Sequence, residues 1–170
     1  MSDHLGLVYR AMSFAQRVHI AQKRKYTEAP YFTHLAEVAG IVSSVASDYP
    51  ESMEMLAVAW LHDTIEDQGV TSEEIGELFG PLVMRGVLAL SDLEIEGNRA
   101  ARKAAARKRL SNAPAWVQTI KMADLISNTP SIMQNDPKFA RVYVLEAKLL
   151  ILELTLADER LVNLLKSLLD

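Results

Sequence analysis

Apolar residues recur every three or four positions along almost the whole chain, and very few stretches alternate with period two. That is the pattern of helices with one buried face, and it predicts an all-α fold. Leu5, Val8, Met12, Ala15 and Val18 mark the face of a first helix, which runs out in QKRKYTEAPYF, where Pro30 requires extended backbone before it. Thr33 is placed to cap a second helix with the face Leu35, Val38, Val42 and Val45, ending near SDYP. A third helix starts near Glu51, carries Met55, Val58, Ala59 and Leu61 into WLHDTIEDQGV, and stops at Gly69.

Beyond it, TSEEIGELFG reads as a short helix with a Thr71/Glu74 capping box and a stop at Gly80. PLVMRGVLALSDL reads as another, opened by Pro81. In EIEGNRAARKAAARKRL a glycine and an asparagine lead into a helix bearing Arg99, Arg102, Lys103, Arg107, Lys108 and Arg109, the one concentrated positive region. WVQTIKMADLISNT returns to a buried helix limited by Pro130, and from Pro137 onward one long helix or a helical pair closes the chain. The leucines between 144 and 165 fit a core or an oligomer seam.

Length and composition narrow the picture. With 170 residues, 49% of them hydrophobic, the chain is long enough for one domain with a real core, taken as residues 1–170. A net charge of −4 speaks against a protein that coats nucleic acid by neutralising phosphates. Without cysteine, any metal must be held by histidines and carboxylates. The N-terminus lacks the apolar core of a signal peptide, and YVLEAKLLILELTLADERL is interrupted by Glu146, Lys148 and Glu153, so no membrane span is expected and a cytoplasmic location is the default.

Against that background WLHDTIEDQGV stands out, because His62, Asp63, Glu66 and Asp67 follow directly on apolar sequence. On one continuous helix, with His62 at zero, Asp63 falls at about 100°, Glu66 at about 40° and Asp67 at about 140°, all on one side. The same arithmetic puts Asn128 within about 40° of Asp124 on the later helix. With His34 in the first turn of the second helix, three helices offer imidazole and carboxylate, a donor set that suits Mn²⁺, Fe²⁺ or Zn²⁺. Each feature has an ordinary reading as well. A His-Asp pair is common by chance, His34 alone fits a satisfied histidine near a helix start, and Asp124 with Asn128 fits local backbone bonding. The basic run fits a solvated helix face. Glu66 and Asp67 at a helix C-terminus would oppose the helix dipole, which makes a purely structural account of them less comfortable.

Taken in order, HIAQKRKY, PYFTH, AWLHDTIEDQGVT and IKMADLISN resemble the HD-domain phosphohydrolase superfamily. Within it they resemble the hydrolase domain of Rel/SpoT homologues, above all the free-standing small alarmone hydrolases. The likeness is strongest from His19 to Asp67 and from Ile120 to Asn128. It implies an HD-type bundle of roughly eight to ten helices around a mononuclear metal site. It implies His34, His62, Asp63 and Asp124 as ligands, usually to Mn²⁺, with Fe²⁺ or Zn²⁺ as alternatives. It assigns Glu66 and Asp67 to the attacking water, and Arg24, Lys25 and Asn128 to the nucleotide.

The implied activity is that of a metal-dependent enzyme removing the 3′-pyrophosphate from a purine nucleotide alarmone of the (p)ppGpp or ppApp type. Its partner would be that small molecule, with a homo-oligomer open. The basic run 99–109 becomes a second candidate for phosphate neutralisation. The chain departs from the family pattern at Leu35, where a proline is common, at YTEA in place of a glycine-containing turn, and in LISNTPSI after Asp124. These departures leave the base and the phosphate number open. Another nucleotide or phosphate ester as substrate, and a non-catalytic alarmone sensor, are the alternatives. Only His4 and His19 remain as further imidazoles, which favours one metal over two.

Overall fold

The computed structural model describes residues 3–92 and 97–170, with side chains from Gly6 onward; the side chains of His4 and Leu5 and the segment 93–96 lie outside the described residues. The all-helical expectation is met: among the described residues there are ten α-helices, one 3-10 turn and no strand beyond an isolated bridge. They form two compact units, Met1–Ser91 and Asp92–Asp170.

The first unit contains α1 (Asp3–Val18), α2 (Phe32–Ser43), a 3-10 turn (Ala46–Asp48), α3 (Ser52–Leu61), α4 (Thr64–Gln68), α5 (Ser72–Phe79) and α6 (Pro81–Leu90). Helix α3 is apolar on every side, as a central helix must be, and Met55, Ala57, Val58, Ala59 and Leu61 are all fully buried. It packs against α1, α2 and α6. Thr71 caps α5 by accepting from the Glu74 N–H at 3.1 Å, Gly80 ends it at φ 91°, and Pro81 opens α6, all as the sequence indicates. Helix α2 differs at its start. It begins at Phe32, so Thr33 lies inside the first turn and its hydroxyl donates back to the Pro30 carbonyl at 2.8 Å instead of capping.

The larger correction concerns the expected helix from Glu51 to Gly69, which is two helices. Asp63 leaves helical geometry at φ −101°, ψ 1°, and α4 starts after it. The break is stabilised locally: the Thr64 hydroxyl donates to the Leu61 carbonyl at 2.7 Å, and His62 Nδ1 to the Ala59 carbonyl at 2.9 Å. Side chains thereby satisfy carbonyls that the end of α3 would otherwise leave open. Glu66 and Asp67 consequently sit on a five-residue helix of their own rather than at the end of α3, whose C-terminus they no longer face as continuous helix.

The second unit contains α7 (Arg99–Ser111), α8 (Ala115–Asn135), α9 (Pro137–Glu153) and α10 (Glu159–Leu169), so the chain closes with a helical pair. Asn98 caps α7 by accepting from the Ala101 N–H at 3.0 Å. Buried Gln118 donates to the Ser111 and Ala113 carbonyls and accepts from the Leu156 N–H, while Thr119 Oγ1 accepts from the Asp158 N–H. Two polar groups of α8 thus fix the connection between α9 and α10. Of the late leucines, Leu154, Leu161 and Leu165 are core, whereas Leu145, Leu149, Leu152, Leu156 and Leu164 are exposed.

Pro130 does not limit α8, which runs five residues past it. The missing Pro130 N–H would have met the Ile126 carbonyl; one residue earlier, the Leu125 carbonyl accepts from the Thr129 hydroxyl at 2.6 Å and the Tyr143 hydroxyl at 3.0 Å, which ties α8 to α9 beside the proline. Burial is the main cause that pushes the Tyr143 hydroxyl up to about 12 from an ordinary value of 10.0; the Thr129 hydroxyl opposes it. A raised native pKa contributes stability that is complete below pH ~10 and is lost as pH rises toward ~12. Tyr143→Phe is therefore expected to lose about 1 kcal/mol at pH 7, for the missing hydrogen bond, yet to lose less than wild type between pH 7 and 11. Urea unfolding at both pH values measures the difference, and equal alkaline losses would contradict it.

Candidate metal centre

The loop from His19 to Tyr31 sets up the first unit's polar cluster. An antiparallel bridge joins Lys23 to Pro30, the Arg24 N–H donates to the Ala29 carbonyl at 2.8 Å, and the Tyr31 N–H to the Gln22 carbonyl at 2.9 Å. Glu28, within the YTEA that departs from the family's glycine-containing turn, takes the left-handed conformation at φ 57°. A residue with a side chain pays strain there of order 1 kcal/mol. The loop delivers Tyr31 to the start of α2, three residues before His34.

His34 on α2 and His62 just past α3 are 1% and 3% exposed, with rings in edge contact at 5.3 Å between centroids. They offer nitrogens within 4.8 Å of each other. Asp63 Oδ2 lies 3.0 Å from His62 Nε2 and 3.6 Å from His34 Nε2, and accepts from the Tyr31 hydroxyl at 2.6 Å. The Ala59 carbonyl can only accept, so His62 Nδ1 carries a proton and, in a neutral ring, Nε2 turns its lone pair toward Asp63. Lone pairs crowded onto a carboxylate oxygen repel unless a proton or a cation lies among them. Burial pushes the Asp63 carboxyl up, and positive charge on the His62 and His34 rings, together with their hydrogen bonds, more than offsets this and holds it well below the usual carboxylate range, so an ionised Asp63 here goes with positive charge beside it. The cluster thus has the donor types and the electrostatics of a site that could hold a metal ion.

Glu66 and Asp67 are exposed on α4. Asp67 Oδ2 accepts from Gln22 Nε2 at 2.8 Å. Arg24, 12% exposed, lies 2.9 Å from Glu37 of α2, and Lys25 lies over the Tyr26 ring at 4.9 Å.

In the second unit, Asp124 of α8 is 8% exposed and accepts from Asn128 Nδ2 at 2.8 Å and from Lys121 Nζ at 2.7 Å. The Asp124–Asn128 proximity is the one that helical spacing predicts. The basic run is largely engaged by carboxylates. Arg99 makes a two-pronged pair with Glu146, Arg107 pairs with Glu153, and Lys103 and Arg109 both face Asp92. The first two pairs tie α7 to α9, and all four residues have less to offer a phosphate.

Three residues at these clusters escaped the sequence reading. Tyr31 and Gln22 lie within PYFTH and HIAQKRKY but were not singled out there; Lys121 is three residues before Asp124, a spacing that places the two side chains together on a helix.

The family model described as HD domain matches residues 11–138. A protein named GTP pyrophosphokinase rsh from Brucella melitensis is 34% identical over 140 residues, 78% of this chain and 18% of its own length. One named probable guanosine-3′,5′-bis(diphosphate) 3′-pyrophosphohydrolase from Synechocystis is 31% identical over 148 residues, 84% of this chain and 19% of its own length. The chain therefore spans less than a fifth of these curated relatives. A solved structure, described as a metazoan ortholog of SpoT that hydrolyzes ppGpp and plays a role in starvation responses, superposes with a TM-score of 0.84 at 26% identity, covering 95% of this chain and 93% of that one. With a family model matched over most of its length and a fold shared nearly end to end with a solved relative, this chain belongs to the HD domain family.

Proposed function

We propose that this chain is a metal-dependent hydrolase that removes the 3′-pyrophosphate from a purine nucleotide alarmone of the (p)ppGpp or ppApp type. The observation that carries the reading is the meeting of His34, His62 and Asp63, with His62 held by the Ala59 carbonyl in the form that presents Nε2. Asp124, buried on α8 and held by Asn128 and Lys121, is proposed as the fourth ligand, on its place in the IKMADLISN motif. Mn²⁺ is the proposed ion, with Fe²⁺ and Zn²⁺ fitting the same donors. A divalent ion supplies Lewis acidity, which eases removal of a water proton and offsets phosphate charge. The names of the Synechocystis and metazoan relatives support the substrate class.

In the proposed reaction a water oxygen bonds to the phosphorus next to the 3′ oxygen, and the bond between that phosphorus and O3′ breaks. Pyrophosphate leaves, and O3′ takes a proton to become the hydroxyl. Glu66 and Asp67, exposed on α4, would hold the water and take its proton. Arg24, Lys25 and Asn128 would bind the nucleotide. Arg24 and Lys25 would counter phosphate charge that the acids repel. No helix among the described residues is long and apolar enough to cross a membrane, and the cytoplasm is the proposed location.

Pyrophosphate release from ppGpp, ppApp and ordinary nucleoside triphosphates, with Mn²⁺ and with EDTA, tests the assignment. Release from an alarmone and not from the triphosphates is expected, with Asp67→Asn lowering kcat by about 10²- to 10⁴-fold. Release from none of them would reject the enzyme, and tight alarmone binding without turnover would make it a sensor.

A further inference from the structure

Gln22 lies at a crossing of hydrogen bonds that joins α4 to a buried histidine outside the proposed ligand set. Its Nε2 donates to Asp67 Oδ2 at 2.8 Å, and its Oε1 accepts from Gln68 Nε2 at 2.5 Å and faces His19 Nδ1 at 2.5 Å. Its own backbone is fixed, because its N–H donates to the His19 carbonyl and its carbonyl accepts from the Tyr31 N–H. His19 is 1% exposed and stacked on Tyr31 at 5.2 Å, and its Nε2 is buried with no hydrogen-bond partner among the described residues.

The chemistry of the end group fixes the direction of the whole chain. An ionised carboxylate only accepts, so the amide nitrogen of Gln22 must face Asp67. Its oxygen then faces His19 and Gln68, and an oxygen can receive both only as an acceptor. His19 Nδ1 must therefore carry the proton. An imidazolium would bury a charge and leave an Nε2–H donor unsatisfied, so the neutral ring, with a bare Nε2, is the form that fits. Gln22 in turn cannot flip its amide without placing an oxygen against Asp67.

We propose that Gln22 is a positioning residue. Held by His19 in its Nδ1–H form and by Gln68, it fixes one oxygen of Asp67 and leaves Oδ1 aimed for a water proton. The proposal rests on the reading that Asp67 works on the attacking water. It accounts for a feature otherwise unexplained, an acid exposed on a five-residue helix yet restrained through a residue 45 positions earlier. Without the restraint the carboxylate would sample several rotamers, and the entropy of fixing one would fall on the reaction step.

The test uses the full chain labelled with ¹⁵N-histidine, together with steady-state kinetics on the alarmone that the wild type cleaves. Long-range ¹H–¹⁵N correlation is expected to show His19 as the Nδ1–H tautomer in wild type and in Gln22→Glu, which keeps an acceptor toward His19. Gln22→Met, similar in shape but unable to accept or donate through an amide, is expected to lose that tautomer. Both variants are expected to lower kcat by about 10- to 100-fold with KM changed less than about threefold, the range for loss of a group that orients an essential residue. In an Asp67→Asn background Gln22→Met should cost less than about twofold more, because the two act as one unit. An Nε2–H tautomer in wild type, an unchanged kcat in Gln22→Met, or full additivity with Asp67→Asn overturns the proposal. If wild type shows the Nδ1–H form and cleaves no alarmone, the hydrolase reading is overturned and the hydrogen-bond chain alone is supported.

Discussion

Asp63→Ala is expected to lower alarmone kcat/KM by about 10³-fold or more, with the bound metal lost at the same time. Asp63 Oδ2 is the point on which His62 Nε2, His34 Nε2 and the Tyr31 hydroxyl converge. In the proposed centre, removing it would delete one ligand, and with it the negative charge that compensates a cation between two buried imidazoles. A loss of about 4 kcal/mol in transition-state stabilisation, reasonable when Lewis acidity disappears, corresponds to about 10³-fold. Pyrophosphate release and metal content of the purified variant are the two readouts. Asp63→Asn keeps the shape and the acceptor oxygen but not the charge, and is expected to be nearly as inactive. Near-normal turnover in either variant would remove Asp63 from the centre.

Chelation is expected to destabilise the wild-type protein and to leave His62→Ala almost unaffected. An ion that binds only the folded chain stabilises it by RT ln(1 + [L]/Kd), about 2.7 kcal/mol at a hundredfold excess over Kd. For a chain of this size that corresponds to a drop in Tm of about 5 to 10 °C on adding EDTA. The two buried histidines give the effect its physical sense. With both rings neutral, their nitrogens and the Asp63 oxygen repel one another, and a bound ion removes the repulsion. A variant lacking the His62 imidazole would lose a proposed ligand along with that repulsion, so EDTA should shift its Tm by less than about 2 °C. Thermal melts with and without chelator decide the matter, and equal shifts in both proteins would contradict the account.

Helices were legible from the sequence because each carries its own signal. The capped start at Thr71, the proline at the head of α6 and the asparagine before α7 all appear in the structure where the residues place them. The pairing of Asp124 with Asn128 was legible for the same reason, since four-residue spacing is a local quantity. What local spacing could not show was how side chains replace backbone bonds. The break at Asp63 is stabilised by His62 and Thr64 bonding to carbonyls behind them, and α8 beside Pro130 is tied to α9 by Tyr143, thirteen residues later. Long-range pairing was equally hidden. Nothing in RAARKAAARKRL announces that Arg99 and Arg107 will meet Glu146 and Glu153, so the run looked more available to phosphate than it is. Gln22 and Tyr31 were missed because a neutral amide and a phenol carry no charge signature; their importance comes only from the carboxylates that they touch.

Anomalous scattering from a crystal grown with Mn²⁺, recorded on the high-energy side of the manganese edge, addresses the central claim most directly. The account predicts one strong peak at bonding distance, about 2.0 to 2.4 Å, from the Nε2 atoms of His34 and His62 and from oxygens of Asp63 and Asp124. A peak on other residues, or none at a manganese concentration that supports turnover, would contradict it.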